Sequence, residues 1–281
     1  MRVFVVGATG VLGRQTLPRL VERGHHARAL VRSAEQAARL NRMGIEAVQG
    51  DILDRTSVVS AVAGCDAALH LATAIPHPGG ATDWTLNDRI RREGTRNLVE
   101  AAFELGVRRY VQQSITFLYG DQGSHIADEA TPLQAKANIS SSVDMEEMVR
   151  ASSLEWVILR GGAFYGPGTG AEDRWRRDAL AGTLRVPGEG DALQSLIHAV
   201  DMARAVVLAL ESAPAGSTYN VVDDEPVTYR DLYGYVAAQV GAPEPQPDGA
   251  AMRSLGCTNA ALKAALGWSP LYATYRSGLA S

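Results

Sequence analysis

Short apolar runs recur through the first 160 positions, four or five residues each: Val3 to Val6, Ala27 to Val31, Ile45 to Gln49, Ala67 to Leu71, Tyr110 to Gln113 and Trp156 to Leu159. Runs of that length, rich in Val, Ile and Ala and closed by glycine or a polar residue, read as strands buried on both faces. Between them lie stretches with apolar positions three and four apart. These are a first helix carrying Leu17, Leu20 and Val21 and stopping at Gly24, a second over Ala34 to Asn41, a long one over Leu86 to Leu105 and another over Ser140 to Ala151. Pro18 falls inside the first helix and forfeits the bond to the carbonyl of Arg14, so a kink or a shift is expected there. Six strands alternating with helices predict an α/β fold built on a doubly wound, mostly parallel sheet, with ligands held beyond the carboxyl ends of the strands.

Past Gly166 the alternation loosens into a helix over Ala171 to Ala181, a strand Gln194 to His198, a helix Asp201 to Glu211, a strand Tyr219 to Val222, a helix Tyr229 to Val240 and a last helix Asn259 to Leu266. The proline-rich piece Gly241 to Gly249 has the turn and extended character of a linker. The expected division is a sheet-bearing, ligand-binding domain over residues 1–163 and a smaller C-terminal α/β lobe over 164–281 that closes over the ligand and contacts substrate, with some of its segments returning to the main sheet.

The totals change this picture in only a few respects. A chain of 281 residues with 46% hydrophobic and 21% charged residues buries a sizeable core. Its formal charge of −4 offers no electrostatic case for nucleic acid or an anionic membrane as partner. The N-terminal apolar run is too short for a signal peptide and no later stretch approaches a membrane span, so a soluble cytoplasmic protein, monomer or homodimer, is expected. Cys65 and Cys257 sit in no metal-like or C-x-x-C spacing and read as small buried thiols. The basic residues are nearly all arginine: the lysines are Lys136 and Lys263 alone.

The candidate chemistry starts at Val3 to Arg14, VFVVGATGVLGR. Glycines at 7, 10 and 13 follow the first strand and open the first helix, an order that lets a pyrophosphate meet free N–H groups and the positive end of the helix dipole. Gly7 allows the turn, Gly10 the approach of the phosphate, and Gly13 the packing of helix on strand. The second strand ends at Arg32, where dinucleotide sites place an acid for a ribose 2′-hydroxyl or a base for a 2′-phosphate. No acid stands nearby, and with Arg14 just after the third glycine the pair favours NADP(H) over NAD(H). Asp51, at the end of the third strand, either accepts from an adenine amino group or caps the next helix. His70 lies inside a strand and reads as packed and hydrogen-bonded. The loop 74–83 has the composition of a substrate lid, its His77 too isolated for a metal site. Arg89, Arg91 and Arg92 read as a solvated helix face. The fifth strand ends at Ser114-Ile115-Thr116, followed by Tyr119-Gly120, and the sixth opens into GGAFYGPG.

Taken together, GATGVLG (7–13), GDILD (50–54), HLAT (70–73), EGTRNLVEAA (93–102), SITFLYG (114–120), ILRGGAFYGPG (158–168), LIHAVDMARAV (196–206), YNVVDDEP (219–226) and ALKAALGWSPLYATYRSGL (261–279) resemble the extended short-chain dehydrogenase/reductases, in the NAD(P)-dependent epimerase/dehydratase branch. The resemblance covers nearly the whole chain. It implies a Rossmann fold with a small substrate lobe and dinucleotide contacts along the turn from Gly7 through Thr9, Gly10, Val11, Leu12 and Gly13 to Arg14, and at Arg32, Asp51 and Ile52. It implies further that Leu71, Ala72 and Thr73 pass near the ribose and nicotinamide, with the backbone of Gly161, Gly162 and Ala163 near the carboxamide.

Members of that family carry a Ser or Thr after the fifth strand and a Tyr-x-x-x-Lys pair on the next helix. Here the pair falls on Ile139 and Val143, or one residue earlier on Asn138 and Ser142, and neither register supplies a phenol or an ammonium group. Pro132 and Asn259 stand four residues before the lysines, so no other Tyr-x-x-x-Lys exists in the chain. The expected activity is therefore NADPH-dependent reduction of a bulky, aromatic small-molecule ketone. The proton would come from the hydroxyls of Ser114 or Thr116, from Tyr119 or Tyr165, from water, or from a phenol on the substrate. Tyr119, Phe164, Tyr165 and Trp175 are the candidate substrate contacts, and ordinary core is the alternative for Phe164 and Trp175. Two other functions are a non-catalytic NADP(H)-binding sensor and a sugar-nucleotide epimerase or dehydratase, the latter weakened by the missing tyrosine.

Overall fold

In the computed structural model, residues 1–76 and 83–280 are described, so His77 and most of the lid-like loop lie outside the described residues. Seven strands form the main sheet. They are β1 (Arg2–Val6), β2 (His26–Val31), β3 (Glu46–Gln49), β4 (Ala67–His70), β5 (Arg109–Ile115), β6 (Glu155–Gly161) and, from far along the chain, Ser217–Val221. The spatial order puts this last strand at one edge, then β6, β5, β4, β1, β2 and β3, and the pairings from β5 to β3 are parallel. The chain moves outward from β1 to β3 and then returns to the other side of β1 as β4. Order reverses between β1 and β4, and the carboxyl ends of those two strands frame the crevice where such sheets bind ligands.

The helices follow the apolar periodicity. α1 (Val11–Glu22) continues through Pro18 as one helix. α2 (Ala34–Arg42) starts on Ser33, whose hydroxyl accepts from the N–H of Gln36. α3 (Arg55–Val62) starts on Asp54, whose carboxylate accepts from Thr56. The long fourth helical stretch is composite: α4 (Thr85–Arg89), a π-helical turn over Ile90–Gly94, then α5 (Thr95–Glu104). Sequence periodicity could not show that insertion, since one added residue shifts phase without breaking amphipathicity. α6 (Ser140–Ala151) lies where expected.

Contacts divide the chain into two units, 1–114 with 136–159 and 203–218, and 115–135 with 160–202 and 219–281. Relative to the expected boundary at 163/164, residues 115–135 and 160–163 group with the second unit and 203–218 with the first. The first unit is held by Phe4, Val6, Leu30, Val58, Leu98 and Ile158 and their neighbours. Its Arg109 guanidinium donates to the carbonyls of Ala209, Leu210 and Ala213 at the end of α8 (Ala199–Ser212), which fixes that returning helix.

The second unit contains β7 (Ala163–Tyr165) paired in parallel with β9 (Leu196–His198), and a short antiparallel pair of β8 (Leu193–Gln194) with β11 (Val227–Thr228), the edge strand Ser217–Val221 being β10. Helices α7 (Ala171–Leu180), α9 (Tyr229–Gln239), α10 (Ala260–Leu266) and α11 (Tyr275–Leu279) complete it. Trp175, Tyr165, Leu196, Leu232 and Tyr275 form its core. Cys65 and Cys257 are buried free thiols. Among the described residues no helix is long and apolar enough to cross a membrane.

Candidate functional site

The glycine turn divides its labour unequally. Gly7 has φ +85°, and a Cβ there would stand 2.6 Å from the backbone of Leu71 and Ala72, so the exits of β1 and β4 touch main chain to main chain. At Gly13 a Cβ would lie 2.2 Å from the Gly7 carbonyl oxygen, which only a glycine permits. Gly10 is different: it is exposed, and a Cβ would meet only the Gly7 carbonyl, at 3.3 Å. Gly10 is also the N-cap of α1, with no capping side chain and no acidic residue in the first turn. Among the described residues the N–H groups of Val11, Leu12 and Gly13 find no acceptor, while Arg14 N–H closes the first helical bond onto Gly10. Free amides at the positive end of a twelve-residue helix, under a residue lacking a side chain, fit the pyrophosphate of a dinucleotide.

Around this turn, Thr9 and Val11 are half-buried and Leu12 is packed inside, leaving Arg14 on the surface. Arg32 is exposed too, its N–H bonded to Gln36, and among the described residues neither guanidinium has a carboxylate or hydrogen-bond partner. Asp51 is exposed and its Oδ1 accepts from Leu53 N–H at 2.9 Å, while capping of α3 goes to Asp54. Ile52 is buried against Gly94, where a Cβ would approach it to 2.9 Å, and its carbonyl accepts from Asn97. The GTRN stretch is thereby explained as packing beneath the third strand's exit. Leu71 is buried, Ala72 half-buried and Thr73 exposed, and the chain is then fixed by Ala74 N–H donating to Asn87 Oδ1. In the second unit Gly162 and Ala163 donate to Val221 and Ser195 carbonyls, and a Cβ at Gly162 would lie 2.5 Å from the Ser195 oxygen.

The hydroxyl candidates are committed elsewhere. Ser114 is buried near the end of β5, and its Oγ donates to Glu146 Oε1 at 2.6 Å, Glu146 also meeting Arg150. Thr116 is 2% exposed and in hydrogen-bond contact with the Cys257 thiol, which burial raises to about 12. Tyr119 is fully buried; it donates to Asn220 Oδ1 at 2.8 Å and accepts from Arg160 Nη1 at 2.9 Å. Despite that guanidinium, burial pushes its pKa up to about 12. Tyr165 is also fully buried and donates to Asp223, and Trp175 lies in the core of the second unit, while Phe164 stays half-exposed. On the helix where the family keeps its pair, Ile139 is buried, Val143 half-buried and Asn138 exposed. Ser142 is fully buried with an Oγ that has no partner.

One residue departs from the sequence reading of a solvated arginine face. Arg89 pairs with Glu93 and Arg92 with Asp144 at the surface, but Arg91, on the π turn, is only 3% exposed. Its Nη1 reaches Ser141 Oγ on α6 at 3.5 Å, and Ser141 in turn donates to Asp88 at 2.6 Å. Burial lowers the guanidinium to about 10, so it remains a cation at neutral pH. It sits close enough to His70 for its charge to disfavour protonation of that ring. His70 is packed as expected, but its ring nitrogens make no hydrogen bond of standard geometry, and burial first of all pushes its pKa down to about 4. Asn87 Nδ2 and Thr95 Oγ1, one turn to either side of Arg91, are likewise buried without partners. The signal was present in the sequence: Arg91 is in helical phase with Thr95, Leu98 and Ala102, all buried.

This geometry defines a dinucleotide-binding doubly wound α/β protein. A family model described as NAD(P)H-binding matches residues 7–212, and the chain belongs to that family. It is an extended short-chain dehydrogenase/reductase and an NAD(P)-dependent oxidoreductase. It is similar to a 3-diazoavenalumate denitrifying reductase of a Streptomyces species, 37% identical over a 312-residue alignment covering 99% of both chains. It is also similar to a 4-hydroxy-2-methyl-3-oxo-4-farnesyl-3,4-dihydroquinoline-1-oxide ketoreductase of Stigmatella aurantiaca, 29% identical over 245 residues, 83% of this chain and 71% of that one. The fold matches a dTDP-glucose 4,6-dehydratase of Streptomyces venezuelae solved with NAD, TM-score 0.86 at 23% identity, covering 100% of this chain and 95% of that one.

The unequal glycines separate folding from binding. Gly10→Ala is expected to stay within about 1 kcal/mol of wild-type stability while weakening dinucleotide binding at least about ten-fold. Gly13→Ala is expected to lose about 3 kcal/mol or more. Paired melting and titration measurements distinguish the two. His70 sets an acid limit: the unfolded ring takes a proton below about 6.5 and the folded ring only near 4. Stability therefore falls as pH drops through that window, by up to about 3 kcal/mol, and levels off below it. His70→Phe should flatten this part of the curve, read by denaturant unfolding between pH 7 and pH 4.

Proposed function

We propose that the chain is an NADPH-dependent reductase that hands hydride to a bulky aromatic acceptor at a site with no proton-donating side chain of its own, a ketone being the first such acceptor. The observation that carries this reading is the state of α6 and the end of β5: Ile139 and Val143, or Asn138 and Ser142, stand where a tyrosine and lysine would be, and the Ser114 hydroxyl is held by Glu146. Bound nicotinamide supplies the hydride. The chain's part is to hold and orient, an effect worth about 7–11 kcal/mol in ideal geometry, against about 10²–10⁴-fold for a tuned general acid. Reduction of a ketone then forms a C–H bond, and the alkoxide takes its proton from water or from a hydroxyl neighbouring the carbonyl on the substrate. The half-exposed Phe164 suits a flat apolar body.

A second acceptor is favoured by a separate observation, the full-length similarity to a denitrifying reductase. Hydride transfer to an arenediazonium carbon forms C–H, breaks C–N and releases dinitrogen. It needs no proton at all, which is the chemistry a site stripped of its acid can run without compensation.

Incubation with NADPH carrying deuterium at C4, and aromatic ketones or arenediazonium salts, distinguishes these. Deuterium on a carbinol carbon supports the ketone reading, and deuterium on an aryl carbon with stoichiometric nitrogen supports the diazonium reading. Cofactor binding without oxidation by any acceptor overturns both and favours a sensor. NADPH preference is supported by Arg14 and Arg32, whose guanidinium groups have no partner among the described residues, and by a base and not an acid standing at the end of β2. Arg14→Ala with Arg32→Ala should weaken NADPH at least about ten-fold and leave NADH nearly unchanged, as measured by titration.

A further inference from the structure

Arg91 is used by no step above, yet it is a cation buried to 3% exposure beside the candidate site. It lies between two segments of the first unit: the end of β4, where its charge acts on His70 just before Leu71–Thr73, and the first turn of α6, where it donates to Ser141 between the vacated positions at 138–139 and 142–143. A guanidinium has five donors, and this one makes a single long hydrogen bond and no ion pair among the described residues. The nearest carboxylate, Asp88, is reached only through Ser141. Buried atoms without partners lie four residues to either side of it, Asn87 Nδ2 and Thr95 Oγ1, with the His70 ring within reach of its charge and Ser142 Oγ next to Ser141 in sequence. A helix that bulges by a π turn to bring a cation inward, among polar groups that lack partners, is arranged for something other than packing.

We propose that Arg91 is the fixed positive charge of the nicotinamide end of this site, supplied from the π turn in place of a lysine on α6, and that it makes the chain hold NADPH more tightly than NADP⁺. The inference rests on the reading that Leu71–Thr73 pass the nicotinamide. The oxidised ring carries a positive charge and the reduced ring none, so a buried neighbouring cation disfavours only the oxidised form. Its consequence is selection at binding: the site fills with NADPH in the presence of NADP⁺ and releases the oxidised cofactor readily, while the bound NADPH becomes the weaker hydride donor. Arg91 is a positioning residue in this account, acting through the field at the ring and through Ser141.

The test is the ratio of the NADP⁺ and NADPH dissociation constants, measured calorimetrically on the full chain, with 2′,5′-ADP as a probe that lacks the nicotinamide. Arg91→Met should lower the ratio about ten-fold, and Arg91→Lys should keep it near the wild-type value. Asp88→Asn, which removes the charge partly offsetting Arg91, should raise it; this variant decides the matter should Arg91→Met fail to fold. Binding of 2′,5′-ADP should be the same in all. A ratio unmoved in the variants, with 2′,5′-ADP still bound, overturns the role of Arg91 alone. A wild type that binds none of the three overturns the nucleotide reading and this inference with it.

Discussion

Main-chain contact between the exits of β1 and β4 is the constraint on which the candidate site depends. Gly7 can lie against Leu71 and Ala72 only because it has no side chain and accepts a positive φ, and Gly13 then brings α1 down onto the Gly7 carbonyl. These two approaches fix the height and direction of the helix relative to the sheet. Gly10, the third glycine, is what remains open after that packing is complete. The free amides of α1 are thus left over from a tightly determined turn, which is why they point into the crevice at the switch in strand order.

A second principle runs through the first unit: some buried polar groups are fully answered and others are not. Ser114, Glu146 and Arg150 close on one another, and Arg109 exhausts the carbonyls at the end of α8. Groups so answered are structural. Around the π turn the balance is different, since a guanidinium, an amide, two hydroxyls and an imidazole lie buried with few partners or none. Each unanswered group costs about 1–3 kcal/mol. Such a cost persists where surroundings enforce it, and here the enforcing element is the bulge at Ile90–Gly94.

The second unit spends its phenols on its own architecture. Tyr119 joins Asn220 and Arg160, whose guanidinium lies 5.1 Å above its ring, and Asn220 N–H donates to Glu129. Tyr165 holds Asp223 and packs edge-on to His198, while Asp201 accepts from the amides of Leu271 and Tyr272 and so fastens the C-terminal segment. Tyr119 has the chemical form of a phenol beside a cation. Burial nevertheless raises its pKa, because the thin stabilisation of a phenolate by Arg160 does not repay its loss of water.

Local pattern alone determined the strands, most helix limits, the glycine turn and the absence of a Tyr-x-x-x-Lys, since each depends on residues close in sequence with a period or spacing of their own. Burial by composition also marked Cys65, Cys257 and His70 as interior. Tertiary structure decided what spacing cannot carry. It brought Ser217–Val221 back as a seventh strand and joined Ser114 to Glu146 on α6. It also set the buried Arg91 against Ser141 on α6, fifty positions along the chain. The reason is the same in each case: which face of an element meets which neighbour is set by contacts between residues tens of positions apart, and a one-residue π insertion is enough to change the answer.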